Sequence, residues 1–189
     1  MNYSRTIALI AFSVLSACGQ HEEQTATPFL PTASIQEIMN SQVDPAADFL
    51  WESVSSETTA AGTVDHQPQN DAEWLELRHA AIRLVESANL LVVDGRKVAA
   101  EGHRLEDAHV PGISPPEEIQ EAIDADRSVF ISHAHELHAA ASQMLAAVDA
   151  KSPEHLIEAG GKLDEACEGC HMKYWYPNAP LPPELAAKR

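Results

Sequence analysis

Near the C-terminal end of the chain, Cys167-Glu168-Gly169-Cys170-His171 gathers two thiols and an imidazole within one short segment. On a helix, positions 167, 170 and 171 fall on one face, so both sulfurs and the ring reach the same object from the same side. The spacing is the signature of covalent haem attachment: the thiols add to the two vinyl groups and the adjacent imidazole takes the iron. Three other chemistries compete for these residue types. A thioredoxin-type pair would follow a strand at a helix N-terminus, where the helix dipole lowers the thiol pKa, but this pair lies near a helix C-terminus in a chain without an alternating strand pattern. A structural zinc site needs four ligands, and no second pair stands at suitable spacing. A plain Cys167–Cys170 disulfide would constrain little and would leave the neighbouring His171 a coincidence.

The elements that must position this motif are amphipathic helices. Three starts pair a capping side chain with Glu three positions on, so that each satisfies the other's exposed amide: Ser34 with Glu37, Asn70 with Glu73, and Ser114 with Glu117. A fourth is Ser152-Pro153, with proline at the first helical position, where its missing amide costs nothing. Each start opens onto a stripe with spacings of three and four. The stripes are Ile35, Met39, Gln42, Ala46, Phe49 and Leu50; Trp74, Leu77, Ala81, Val85, Ala88 and Leu91; Ile119, Ile123, Phe130, Ala134, Leu137, Ala141, Leu145 and Val148; and Leu156, Gly160, Leu163, Cys167, Cys170 and Tyr174. Four stripes predict an all-α four-helix bundle over residues 34–176.

Pro45 falls inside the first pattern, and the stripe keeps its phase across it, so a kink is expected there. Segments 55–69 and 94–113 read as long connections, and residues 177–189 as a Pro-rich tail along the surface. Gly160 and Gly161 sit within the fourth helix, where each costs about 1 kcal/mol relative to Ala. Either a large group or a neighbouring helix approaches there, or the helix is frayed or kinked. His133, His135 and His138 invite a metal reading, but His133 and His135 lie about 200° apart on a helix, so solvated or rim positions are expected. Tyr174-Trp175-Tyr176 is expected to pack against the haem edge or to close the bundle, with docking for electron exchange as the alternative.

The N-terminal residues MNYSRTIALIAFSVLSAC form an export signal, with Arg5 ahead of an apolar run from Ile7 to Leu15. That run is about half of the roughly 20 residues that a membrane-spanning helix needs. Leu15-Ser16-Ala17-Cys18 resembles the bacterial lipobox, which implies a signal peptide over 1–17, a lipid-modified Cys18 and a tether over 18–33. The alternative is ordinary signal cleavage nearby. Lipidation also settles the cysteine arithmetic, because the chain has 3 cysteines and two carry the haem. Gly19 is not the aspartate of an inner-membrane retention signal, so the expected location is the periplasmic side of the outer membrane of a Gram-negative bacterium. The formal charge of the 189-residue chain is −17, and removing residues 1–17, with one Arg and no acid, takes it to −18. That field disfavours nucleic acid and favours a redox partner with a basic docking face, unless it serves only solubility.

With the attachment motif near the C-terminus of an all-helical chain, the sequence resembles the class II c-type cytochromes, the cytochrome c′ group and its low-spin relatives. Class I cytochromes carry the motif near the N-terminus. The likeness spans about residues 34 to 176, and its specific motif is Cys167 to His171. It implies an antiparallel four-helix bundle with one covalent haem c near the last helix, His171 as proximal iron ligand, and often a homodimer. In the low-spin members a methionine on the first helix also binds the iron, and Met39 stands at a comparable place; the alternative is that Met39 fills the core. Met144 is the lesser candidate, and Met172 points away. Two positions depart from the pattern: Pro45 is unexpected, and Trp175 replaces the basic residue that often follows the motif, with Lys173 two places earlier. The expected function is periplasmic electron transfer by an exported monohaem cytochrome, with no enzyme activity. The rivals are a five-coordinate protein binding nitric oxide or carbon monoxide, and an accessory lipoprotein of a respiratory complex.

Overall fold

The computed structural model describes residues 29–178, so the expected signal peptide, Cys18 and most of the expected tether and tail lie outside the described residues. What it describes is mostly helical. Helix α1 (Ile35–Ile38) passes through a wide π-turn (Met39–Val43) into α2 (Asp44–Glu52), and a hairpin of β1 (Ser55–Thr59) and β2 (Gly62–His66) follows. The long helices are α3 (Asp71–Leu91), α5 (Arg127–Asp149) and α6 (Pro153–Tyr174), with the shorter α4 (Pro116–Ala125) ahead of α5.

Three of the four expected caps form. Ser34 and Glu37 make the full reciprocal box, with the Glu37 amide donating to Ser34 Oγ at 3.2 Å and the Ser34 amide to the Glu37 carboxylate at 2.8 Å. Asn70 Oδ1 accepts from the amides of Ala72 and Glu73, while the Glu73 carboxylate reaches one residue further back, to the Gln69 amide at 2.6 Å. Ser152 Oγ accepts from the His155 amide. Ser114 does not cap. With Ser114 as the cap, Pro115 would have to be helical directly before Pro116, which the Pro116 ring disfavours. Pro115 instead stays extended (ψ 155°), Pro116 opens α4, and the Ser114 amide donates to the Trp175 carbonyl at 2.7 Å.

The third expected helix is broken. Asp126 leaves helical geometry (φ −142°, ψ 72°), and its carboxylate accepts from the Val129 amide, starting α5 afresh. Around Pro45 the change is not a simple kink. The Asp44 amide bonds to the Met39 carbonyl five residues back, which relieves the clash of a proline ring inside a helix. That extra residue shifts the buried face: Val43, Ala46, Ala47 and Leu50 are buried, whereas Phe49 is 44% exposed. The expectation of unbroken phase was wrong for this reason.

The hairpin corrects the reading of 55–69 as a long connection in a chain without strands. Ser55 pairs with His66 and Thr59 with Gly62, whose φ of 130° suits the tight reversal to glycine. Thr58 and Thr63 join hydroxyls across it, and β2 is exposed throughout, so no apolar alternation marks it in sequence.

Opposite ends of α3 and α5 meet: Arg78 pairs with Asp149 at 2.8 Å and Lys151 with Asp71 at 2.6 Å, while Arg127 donates to the Val92 carbonyl at the other end. The long 92–115 connection is packed. Val98 and Leu105 are buried, and the carbonyls of Lys97 and Val98 accept the otherwise open first amides of α1, from Ile35 and Gln36. Buried Arg96 donates to the carbonyls of Leu90 and Ala33, and desolvation lowers its pKa. One continuous core of Leu, Ile, Val and Ala side chains runs between α1–α2, α3, α5 and α6.

Candidate functional site

A cavity of about 380 Å³ opens inside this core at the end where α6 finishes. Cys167, Cys170 and His171 all line it from α6, which stays helical to Tyr174 and so keeps the three on one face. The α1–α2 wall contributes Ile35, Met39, Val43 and Ala47, and α5 contributes Phe130, His133, Ala134 and Leu137.

Cys167 and Cys170 are free, half-buried thiols. Burial pushes the Cys167 thiol up to about 11, with the charges of Asp164 and Asp44 adding to it, and burial beside Cys167 pushes Cys170 up to about 12. Such thiols are poor thiolates, ill suited to thiol–disulfide exchange. His171 is held below the usual imidazole range by burial, against the pull of Asp44 and Glu168. A neutral ring keeps a lone pair free for a metal. Trp175 and Tyr176 flank that ring at centroid distances of 6.0 and 6.2 Å, and the Tyr176 hydroxyl donates to the Glu168 carboxylate. Tyr174 is buried, with its ring edge-on to Phe130 and His133.

Met39, at the start of the π-turn, lines the cavity and is half-buried. Met144 is fully buried in the core away from the cavity, and Met172 does not line it. His135 is exposed and His138 half-buried, both outside the lining. His133 is different: it forms part of the wall, with Nδ1 3.0 Å from Glu136 Oε2. Among the described residues, no group of three or more His, Cys, Asp or Glu is placed to hold a bare metal ion.

Gly160 has its own explanation. A Cβ there would stand 3.1 Å from Trp51 Cδ1, and the Trp51 indole N–H donates to the Gly160 carbonyl at 3.2 Å. The glycine lets α2 lie close against α6. Gly161 faces open space.

Sequence reasoning missed Trp51 and the carboxylates of Asp44, Asp48, Asp164 and Glu168, which also border the cavity. Asp44 and Asp48 are four apart on α2, as are Asp164 and Glu168 on α6. That spacing marks one helix face but not which cavity it meets. Burial raises the Asp44 pKa above the ordinary range, and the neighbouring Asp48 and Glu106 add to this against the opposing pull of His171. Among the described residues, no helix is long and apolar enough to cross a membrane.

No protein-family model, curated protein or solved structure matches the chain. The geometry therefore carries the functional argument alone. It offers a largely apolar chamber with two adjacent thiols and a neutral imidazole on one wall and a thioether on another. A flat apolar prosthetic group that brings its own metal fits this donor set.

Proposed function

We propose that the protein is a monohaem c-type cytochrome of the class II kind, an antiparallel four-helix bundle that carries electrons on the periplasmic side of a membrane. The observation that carries this reading is that Cys167, Cys170 and His171 line one apolar cavity together with Met39. In this reading α1–α2, α3, α4–α5 and α6 count as the four helices. Cys167 and Cys170 would hold the haem c through thioether bonds, and His171 and Met39 would supply ligands to its iron.

The placement of the protein ligands supports a porphyrin over a bare ion, because among the described residues no three His, Cys, Asp or Glu side chains stand together to hold one, whereas a porphyrin supplies four nitrogens of its own. When bound, the haem provides a one-electron iron couple whose potential follows its axial ligands and surroundings. The chain's residues do the rest. Val43, Ala47, Phe130 and Leu137 keep the chamber apolar and exclude water. Trp175 and Tyr176 flank the His171 ring and restrict its rotation. Asp44, Asp48 and Asp164 present an acidic surface beside the cavity that suits a partner with a basic face. Lipidation at Cys18 tethers the bundle to the outer membrane.

The test is expression of the precursor in a host competent for covalent haem maturation. The mature chain is expected to exceed its polypeptide and lipid mass by one haem and to show a low-spin spectrum when reduced. A chain weighing only polypeptide and lipid refutes the proposal.

A further inference from the structure

The segment that runs from α1 through α2 lines the cavity with every fourth residue: Ile35, Met39, Val43, Ala47 and Trp51. An ordinary α-helix turns about 100° per residue, so each step of four drifts by about 40°. Over the whole run that drift would set Ile35 and Trp51 about 160° apart, on nearly opposite faces. The π-turn at Met39–Val43 spends one extra residue, about 100° of winding, and brings the separation down to about 60°. All five side chains then share one wall. An unbroken helix would instead keep Gln42 and Phe49 in phase with Met39, putting an amide and a bulky ring into a wall now made by the small apolar Val43 and Ala47.

Both ends of the segment are fixed. The Ile35 and Gln36 amides donate to the carbonyls of Lys97 and Val98 at 2.8 and 3.0 Å, and the Trp51 indole donates to the Gly160 carbonyl at 3.2 Å. The winding between these anchors therefore decides where Met39 points. Inside the turn the bonds are local: the Asp44 amide donates to the Met39 carbonyl, and the exposed Ser41 donates from its hydroxyl to the Glu37 carbonyl at 2.5 Å. Pro45 is exposed and does not line the cavity, yet it opposes the α-helical alternative. It has no N–H to give to the Ser41 carbonyl, and in an α-helix its ring would collide with that carbonyl.

We propose that Pro45 is a positioning residue for Met39: by holding the π-turn open it keeps Met39 aimed into the cavity on one wall with Val43, Ala47 and Trp51. The inference rests on the haem reading above, in which Met39 supplies a ligand to the iron, and adds to it a residue that touches neither. The test compares reduced spectra of the matured, haem-loaded full chain. Pro45→Ala lets the turn rewind as α-helix, and is expected to lose the low-spin spectrum and to bind carbon monoxide faster than wild type. Pro45→Ala combined with deletion of Ser41 removes the extra residue from the exposed side of the turn, so that a regular helix carries the same five side chains to the same wall. This double variant is expected to regain the low-spin spectrum, which general damage to the fold would not allow. A low-spin Pro45→Ala, or a loss that the deletion does not restore, would overturn the role of Pro45 and leave the haem reading standing. Wild-type chain that lacks covalent haem, or holds it high-spin, would overturn the iron ligation by Met39 and the role of Pro45 together.

Discussion

Gly160 and Gly161 are neighbours in one helix, yet alanine should act on them with opposite signs. Each substitution gains about 1 kcal/mol of helix propensity, because alanine loses less backbone entropy than glycine. At Gly161 a new methyl meets nothing within 4 Å, so the whole gain is realised. At Gly160 it lies 3.1 Å from Trp51 Cδ1 and 3.3 Å from Nε1, and the indole must retreat by a few tenths of an ångström. Trp51 cannot retreat freely, since its N–H is held by the Gly160 carbonyl at 3.2 Å. Losing that bond costs about 1 kcal/mol, and the crowding adds about 1–3 kcal/mol. Gly161→Ala should therefore stabilise by about 1 kcal/mol and Gly160→Ala destabilise by about 1–3 kcal/mol. For a chain of this size the two variants should differ by roughly 4–16 °C in Tm, read by thermal unfolding. In a Trp51→Ala background, Gly160→Ala should recover the gain seen at Gly161. Equal stabilisation by both substitutions in the wild-type background would show that Trp51 does not press on α6.

On the haem reading proposed above, Met39→Ala is expected to convert a low-spin spectrum of the reduced protein to high-spin and to speed carbon monoxide binding; an unchanged spectrum removes Met39 from that reading. Ser152→Ala should cost about 1 kcal/mol in denaturant unfolding through loss of a helix cap, whereas Ser114→Ala should lose no cap, because Ser114 does not cap α4. The Asp126 pKa is lowered by hydrogen bonds from the Ser128 side chain and the Val129 amide, so its contribution to stability is present above the ordinary Asp range and lost as pH falls through the folded value. Unfolding followed across that acid window should show a smaller loss for Asp126→Asn, which keeps a capping oxygen but does not titrate.

The CxxCH motif, the helical periodicity and three caps are legible without coordinates because each is local. Ser34 with Glu37, and Ser152 ahead of Pro153, involve residues within one turn, and the CxxCH motif occupies five adjacent residues. The misreadings share a cause, which is competition among local rules or between local and distant groups. Pro115-Pro116 overrules the Ser114 box, Asp126 interrupts a stripe that reads as continuous, and the π-turn before Pro45 rotates the buried face by one residue. The β1–β2 hairpin escaped notice because an exposed strand has no apolar face to betray it.

Read as a linear chain, the residues already dictate helices and a CxxCH face near the last helix's end, since backbone capping and side-chain spacing are decided within a few positions. Packing alone decides which side chains share the cavity. It brings Met39 and His133 into the lining from separate parts of the chain, leaves Met144 in the solid core, presses Trp51 onto Gly160, and buries the Tyr174 hydroxyl. Those neighbours are far apart in sequence, and no periodicity within one helix records which face of another it will meet.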